Sequence, residues 1–145
     1  MNNLEIVNET MRAFEQHDFS RASNYVADDF QFVGPTPEPV GKKEFVKLHQ
    51  SLIAGIPDWS FNWRNAKETK PGTISGQVAI GGTHSANLDL SFLGIGSVPA
   101  TNKRVKNPTE ELTVTVKNGK VSRMEVSPVS GGGLQGILTQ IGAKL

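Results

Sequence analysis

Cysteine is absent from this chain of 145 residues. That removes disulfides, thiolate nucleophiles and Cys-ligated zinc or iron–sulfur centres together. Histidine is scarce: His17, His49 and His84 stand 32 and 35 residues apart, and no chelating pair such as His-x-x-x-His occurs. A ready-made metal site is therefore not expected. Charge of one sign is lacking too, since 15 basic and 14 acidic residues leave a net charge of +1. The basic residues are scattered, the densest groups being Lys42-Lys43 and Lys103-Arg104 with Lys106. Such a surface offers no stripe for nucleic acid or acidic lipid. No apolar run approaches the roughly 18 residues of a membrane span. The start, Met1-Asn2-Asn3-Leu4-Glu5, lacks the basic segment and apolar run of a signal peptide. A cytoplasmic location is the resulting expectation.

The chain has enough apolar material to bury a core. Hydrophobic residues make up 37% and charged residues 20%, as in an ordinary globule, and the length suits a single domain over residues 1–145. Asn2 or Asn3 can cap a first helix whose apolar residues Leu4, Val7, Met11 and Phe14 fall at spacings of 3, 4 and 3. Ser20 is expected to cap a short second helix, and Phe30 to Val33 alternates as a brief strand that stops at Gly34-Pro35. The prolines of 35–39 exclude helix. A third helix is expected from about Gly41 to Ala54, with Phe45, Leu48, Leu52 and Ile53 inward.

After Pro57 the period changes to two. Trp59, Phe61 and Trp63 alternate with polar residues and predict a strand with one aromatic face. Pro71-Gly72 predicts a turn, Thr73 to His84 a return strand, and Leu88 and Leu90 an irregular one. A loop follows from about Leu93 to Asn102. Residues 110–116 and 121–127 predict a hairpin about Asn118-Gly119. Gly131-Gly132-Gly133 reads as a hinge or linker before a small amphipathic helix with Leu134, Ile137, Leu138 and Ile141. The pattern is α+β: a cone-shaped, strongly curved antiparallel sheet packed against three N-terminal helices, with a short C-terminal helix. The open end of such a cone forms a pocket.

Several segments in this order carry a resemblance over nearly the whole chain. They are Asp18-Phe19-Ser20, Ala27-Asp28-Asp29-Phe30, Ile56-Pro57-Asp58-Trp59, Gly82-Thr83-His84, Pro99-Ala100-Thr101-Asn102-Lys103, Asn118-Gly119-Lys120-Val121 and Gly133-Leu134 with Gln140-Ile141-Gly142. The chain resembles the SnoaL-like polyketide cyclase branch of the nuclear transport factor 2 / ketosteroid isomerase superfamily. The resemblance implies a homodimer through the sheet and a pocket for a small hydrophobic molecule. It also implies either cofactor-free proton transfer next to a carbonyl (isomerisation, dehydration or aldol cyclisation) or non-catalytic binding. In ketosteroid isomerase the acid/base groups are an Asp base with a Tyr and a protonated Asp. Aligned on this chain, those roles fall on Gly34, Thr10 and Leu112, none of which can perform them. A slip of one or two residues would move the last to Glu111 or Glu110.

Two ionisable residues remain as catalytic candidates. His84 follows Gly-Thr, where the resemblance implies a place near the pocket, and imidazole titrates near neutrality. The plainer reading is that it satisfies backbone groups at a strand irregularity. Glu110 depends on the hairpin register. A two-residue turn pairs Val116 with Val121 and groups Leu112 and Val114 with Arg123 and Glu125. A three-residue turn with a bulge pairs Val116 with Lys120 and groups Glu110, Leu112 and Val114 with Ser122, Met124 and Val126. The second gives the cleaner apolar face and is preferred; it turns Glu110 into a low-dielectric row. Tyr25, Phe32, Trp59, Phe61, Trp63 and Met124 are the candidate ligand-binding side chains, with core or subunit packing as their plainer role.

Overall fold

A computed structural model describes residues 1–143. Helix α1 (Asn3–Glu15) starts where the Asn2 side chain accepts the Glu5 N–H at 2.8 Å. It buries Ile6, Val7, Thr10, Met11, Ala13 and Phe14 along one stripe. His17, with φ of 62°, stops it in the left-handed region. Helix α2 (Phe19–Asn24) is capped by Asp18, whose carboxylate accepts the Arg21 N–H, and not by Ser20, which lies inside the first turn. Strand β1 (Val26–Val33) is longer than expected and buries Val26, Phe30 and Phe32. Helix α3 (Lys42–Gly55) turns Phe45, Leu48, His49, Leu52 and Ile53 inward.

The aromatic alternation from Trp59 to Trp63 does not form a regular strand. Only Ser60 bridges, to Gly81, and strand β2 (Arg64–Lys70) begins after it. Asn62 and Asn65 take φ of 48° and 56°, breaking the two-residue period. Trp59 and Phe61 stay buried, held in part by the Phe61 N–H donating to Glu15 Oε2 at 2.8 Å. The return segment is also split, into β3 (Thr73–Val78) and β4 (Gly81–Thr83). The shorter piece pairs instead with β7 (Arg104–Lys106), and β5 (Leu88–Asp89) with β6 (Ser97–Val98).

The main sheet has the order β1-β9-β8-β3-β2, where β8 is Glu110–Lys117 and β9 is Lys120–Val126. It is mixed, because β1 runs parallel to β9. No hairpin joins these two strands, so nothing in the connection imposes the antiparallel sense expected for the whole sheet. Charged and polar side chains dominate the exposed edge strand β2, which discourages further pairing.

The hairpin reconciles its two candidate registers. Asn118 and Gly119, at φ of 51° and 76°, make the two-residue turn, and Val116 pairs with Val121. The register then shifts at Ser122, so Val114 faces Met124 and Leu112 faces Val126. The turn preferred from sequence is therefore replaced by the shorter one, while a bulge recovers the apolar face. Glu110, Leu112, Val114 and Val116 are buried with Val121, Met124 and Val126, whereas Glu111, Arg123 and Glu125 are exposed. Helix α4 (Gly133–Gln140) closes the layer with Leu134, Ile137 and Leu138. The α+β layout is thus as the sequence pattern implies.

Candidate functional site

A cavity of about 70 Å³ lies between the inner face of the sheet and the helices. A single water needs roughly 10–15 Å³ on this measure, so there is room for several waters or a compact ligand. Its wall is mostly apolar: Phe14, Phe45 and Leu48 come from α1 and α3, Phe32 from β1, and Leu112, Met124 and Val126 from the hairpin. Trp59 and Phe61 complete the aromatic side. The polar side chains reaching the wall are His49, Asn107 and Glu110.

Glu110 is placed by the bulged hairpin. As the first residue of β8 it follows the inward parity of Leu112, and it is 4% exposed. Its carboxylate is covered by the glycine segment, where Gly133 N–H donates to Oε1 at 3.2 Å. Burial raises the Glu110 pKa above the ordinary carboxylate value, and the Gly133 hydrogen bond opposes that rise. Gly131-Gly132-Gly133 is accordingly no free hinge. A Cβ on Gly132 would lie 2.7 Å from Glu110 Cδ, so any larger residue there would have to push aside the carboxyl that the backbone covers. Asn107 fixes the same segment: its Nδ2 donates to Gly133 O at 3.2 Å, and its Oδ1 accepts from Gln140 Nε2 at 2.7 Å.

His49 was not singled out by sequence reasoning, yet it lines the cavity at 4% exposure. The signal was present, since position 49 follows Phe45 by four residues and shares the inward face of α3. Its Nδ1 lies 2.9 Å from Phe45 O. A carbonyl only accepts, so Nδ1 carries the hydrogen and Nε2 is left with its lone pair. Desolvation in this aromatic setting pushes the His49 pKa down to about 4, against a smaller opposing effect of the Phe45 carbonyl. Trp59 Nε1 is the one fully buried side-chain polar atom without a hydrogen-bond partner among the described residues. An orphan donor of this kind costs about 1–3 kcal/mol unless something supplies an acceptor.

Of the six candidate ligand-binding side chains, the structure brings Phe32, Trp59, Phe61 and Met124 to the cavity. Tyr25 and Trp63 lie elsewhere. Tyr25 caps α2 beneath Arg21, whose guanidinium sits 5.9 Å from the ring centroid. The Trp63 ring packs on Gly76, and its Nε1–H donates to Asn8 Oδ1 at 2.8 Å. The turn at Asn62 has rotated it away from Trp59 and Phe61.

His84 also lies outside the cavity wall, although it is fully buried. Its Nε2–H donates to Val98 O at 3.2 Å, while Nδ1 accepts from the Thr101 N–H at 3.3 Å and meets Thr101 Oγ1 at 2.8 Å. Both nitrogens are thus spent on the 98–101 loop. The segment around it braces the site instead. Thr83 N–H donates to Asp58 Oδ1 at 2.6 Å, which holds the Asp58 carboxylate below its usual pKa, and Arg104 lies 3.2 Å from Oδ2. Pro57-Asp58-Trp59 and Gly82-Thr83-His84 are tied together in this way, and the tie positions Trp59.

The three positions where the superfamily resemblance implies acid/base groups are explained by packing. Gly34 adopts φ of 115°, and a Cβ there would lie 2.2 Å from Val126 O, so no side chain fits. Thr10 donates its hydroxyl to Ile6 O at 2.7 Å within α1. Leu112 adds only apolar surface to the cavity. No group of three or more His, Asp or Glu suited to a metal ion occurs among the described residues. None of their helices is long and apolar enough to cross a membrane.

This combination, an α+β cone with an internal pocket, defines a class before it defines a chemistry. The sequence profile of the SnoaL-like domain matches residues 7–124, and the chain belongs to that family. Solved structures agree on the fold. A proposed SnoaL-like polyketide cyclase of Jannaschia sp. CCS1 is 17% identical with a TM-score of 0.72, the match covering 99% of this chain and 93% of the other. IdmH of Streptomyces antibioticus, a proposed polyketide cyclase, is 18% identical with a TM-score of 0.70, covering 99% and 100%. An LEH-like epoxide hydrolase of M. tuberculosis is 10% identical at a TM-score of 0.68, covering 96% and 91%. No curated protein sequence matches the chain.

Proposed function

We propose that this SnoaL-like pocket protein catalyses proton transfer on a small, largely apolar carbonyl compound, with Glu110 as the base. The observation that carries the reading is a buried carboxylate with a raised pKa set in an apolar cavity. Glu110 would take a proton from the carbon next to the carbonyl and return it at the same or a conjugated carbon. The aromatic wall would hold the flat enolate. Nothing in this scheme calls on a cofactor. A cytoplasmic setting and a homodimer through the sheet belong to the same proposal, on the likeness to the family.

A second reading, binding without catalysis, is favoured by Gly34, where the backbone leaves no room for the base implied by the resemblance. Deuterium exchange separates the two. A small cyclic ketone such as cyclohexanone, incubated with the protein in D2O, should lose its α-protons faster than in buffer. Glu110→Gln should remove that acceleration by at least about a hundredfold, the low end of general-base contributions. Exchange at the buffer rate, or an unchanged rate in the variant, rejects Glu110 catalysis and leaves the binding role.

A further inference from the structure

We propose that His49 reads a hydroxyl on the bound molecule, accepting its hydrogen bond at Nε2, so that the cavity selects compact apolar compounds carrying an alcohol, enol or phenol group. The inference rests on the reading of the cavity as a ligand site and names the class of ligand it takes.

Four observations lead to it. His49 sits in the cavity wall and is almost wholly buried. Its tautomer is set from behind by the Phe45 carbonyl at 2.9 Å, which leaves Nε2 as an acceptor. Nε2 has no hydrogen-bond partner among the described residues, and the imidazole is surrounded by aromatic rings, its centroid 4.5 Å from that of Phe45, 5.3 Å from Phe14, 5.8 Å from Phe61 and 6.0 Å from Trp59. The Trp59 indole lies edge-on to the imidazole at 86° and lines the same cavity. An acceptor is thus left unpaired at Nε2. A hydroxyl answers it, since it can donate a hydrogen bond. A carbonyl, which only accepts, and a hydrocarbon do not.

A core histidine that merely fills space is the competing explanation. It leaves Nε2 without a partner in an aromatic cluster where phenylalanine would pack with no polar atom to satisfy. The cost of such a choice is accounted for if a ligand completes the bond.

Phenol and toluene test this, because they differ in one hydroxyl against one methyl. In long-range nitrogen-15 spectra of the wild-type protein, phenol should move the His49 Nε2 resonance and toluene should leave it in place. Phenol should bind more tightly than toluene. His49→Phe should reduce that preference about tenfold, the worth of one hydrogen bond of ordinary strength. His49→Gln, whose amide oxygen restores an acceptor, should recover part of it. An unmoved Nε2 resonance with phenol bound, or an unchanged phenol-to-toluene ratio in His49→Phe, overturns the assignment while leaving the cavity a ligand site. Failure of both probes to bind the wild-type protein overturns the assignment together with that reading. The wild-type spectra decide the matter even where a variant fails to fold.

Discussion

Acid should destabilise this protein through His49, and the size of the effect follows from its burial. In the unfolded chain the imidazole takes a proton near pH 6.5, whereas in the fold it stays neutral down to about pH 4. Between those values the unfolded state binds one more proton than the folded state. Stability therefore falls as pH falls through this window, by up to about 1.4 kcal/mol per pH unit. Over the whole interval the loss is about 3 kcal/mol, a large share of the roughly 5–15 kcal/mol that holds a domain together. His49→Phe keeps an aromatic ring in the cluster and removes the titration. Urea unfolding of both proteins at pH 7.5 and 4.5 isolates the effect, because every other acid-sensitive group is common to them. The wild-type protein should lose about 2–3 kcal/mol more than the variant across that interval. Parallel losses would refute the argument, showing that His49 is hydrated or charged in the fold.

Glu110 should show the opposite sign. Its pKa is raised by folding, so it stabilises at low pH and loses that contribution as pH rises through the folded value. Glu110→Gln should therefore gain on the wild-type protein between pH 4.5 and 8 in the same urea experiment. Gly132→Ala should cost about 1–3 kcal/mol by pressing a methyl into Glu110 Cδ, and the penalty should shrink when Glu110 is replaced by alanine, as a double-mutant cycle would show. Restoring an acidic residue at the vacant base position, Gly34→Asp, should abolish cooperative thermal unfolding rather than create activity, because Val126 O occupies the space and φ is 115°. His84→Ala should speed amide hydrogen exchange at Thr101 and its loop while ligand binding in the cavity persists, since Thr101 N–H and Val98 O lose their partner.

What could be read from sequence divides along the range of the interactions. Helices α1, α3 and α4 were legible because periodic apolar residues record a buried face, and Asn2 and Gly41 mark two of their starts. The inward row Glu110, Leu112 and Val114 was legible for the same reason in its two-residue form. The bulge at Ser122 was not, because one extra residue leaves no compositional mark and shows only when the paired strand is present. The fate of the aromatic run after Pro57 turned on left-handed Asn62, a conformation asparagine tolerates without announcing. His84 drew attention through a motif, yet its nitrogens are spent on the loop that the motif helps to fold. His49 carried an equally plain signal at an inward helical position, but a histidine among apolar residues reads as core until its partners are known. The Gly131–Gly133 segment shows the same limit: a flexible composition becomes a fixed cover only once Glu110 lies beneath it.

Carbon-13 titration of the glutamate carboxyls, with and without a small cyclic ketone, tests the central claim most directly. The account predicts that Glu110 titrates above the usual glutamate range and that the ketone moves its resonance, while exposed Glu111 and Glu125 ignore it. A Glu110 carboxyl that titrates in the ordinary range and does not respond to the ketone would contradict the proton-transfer site.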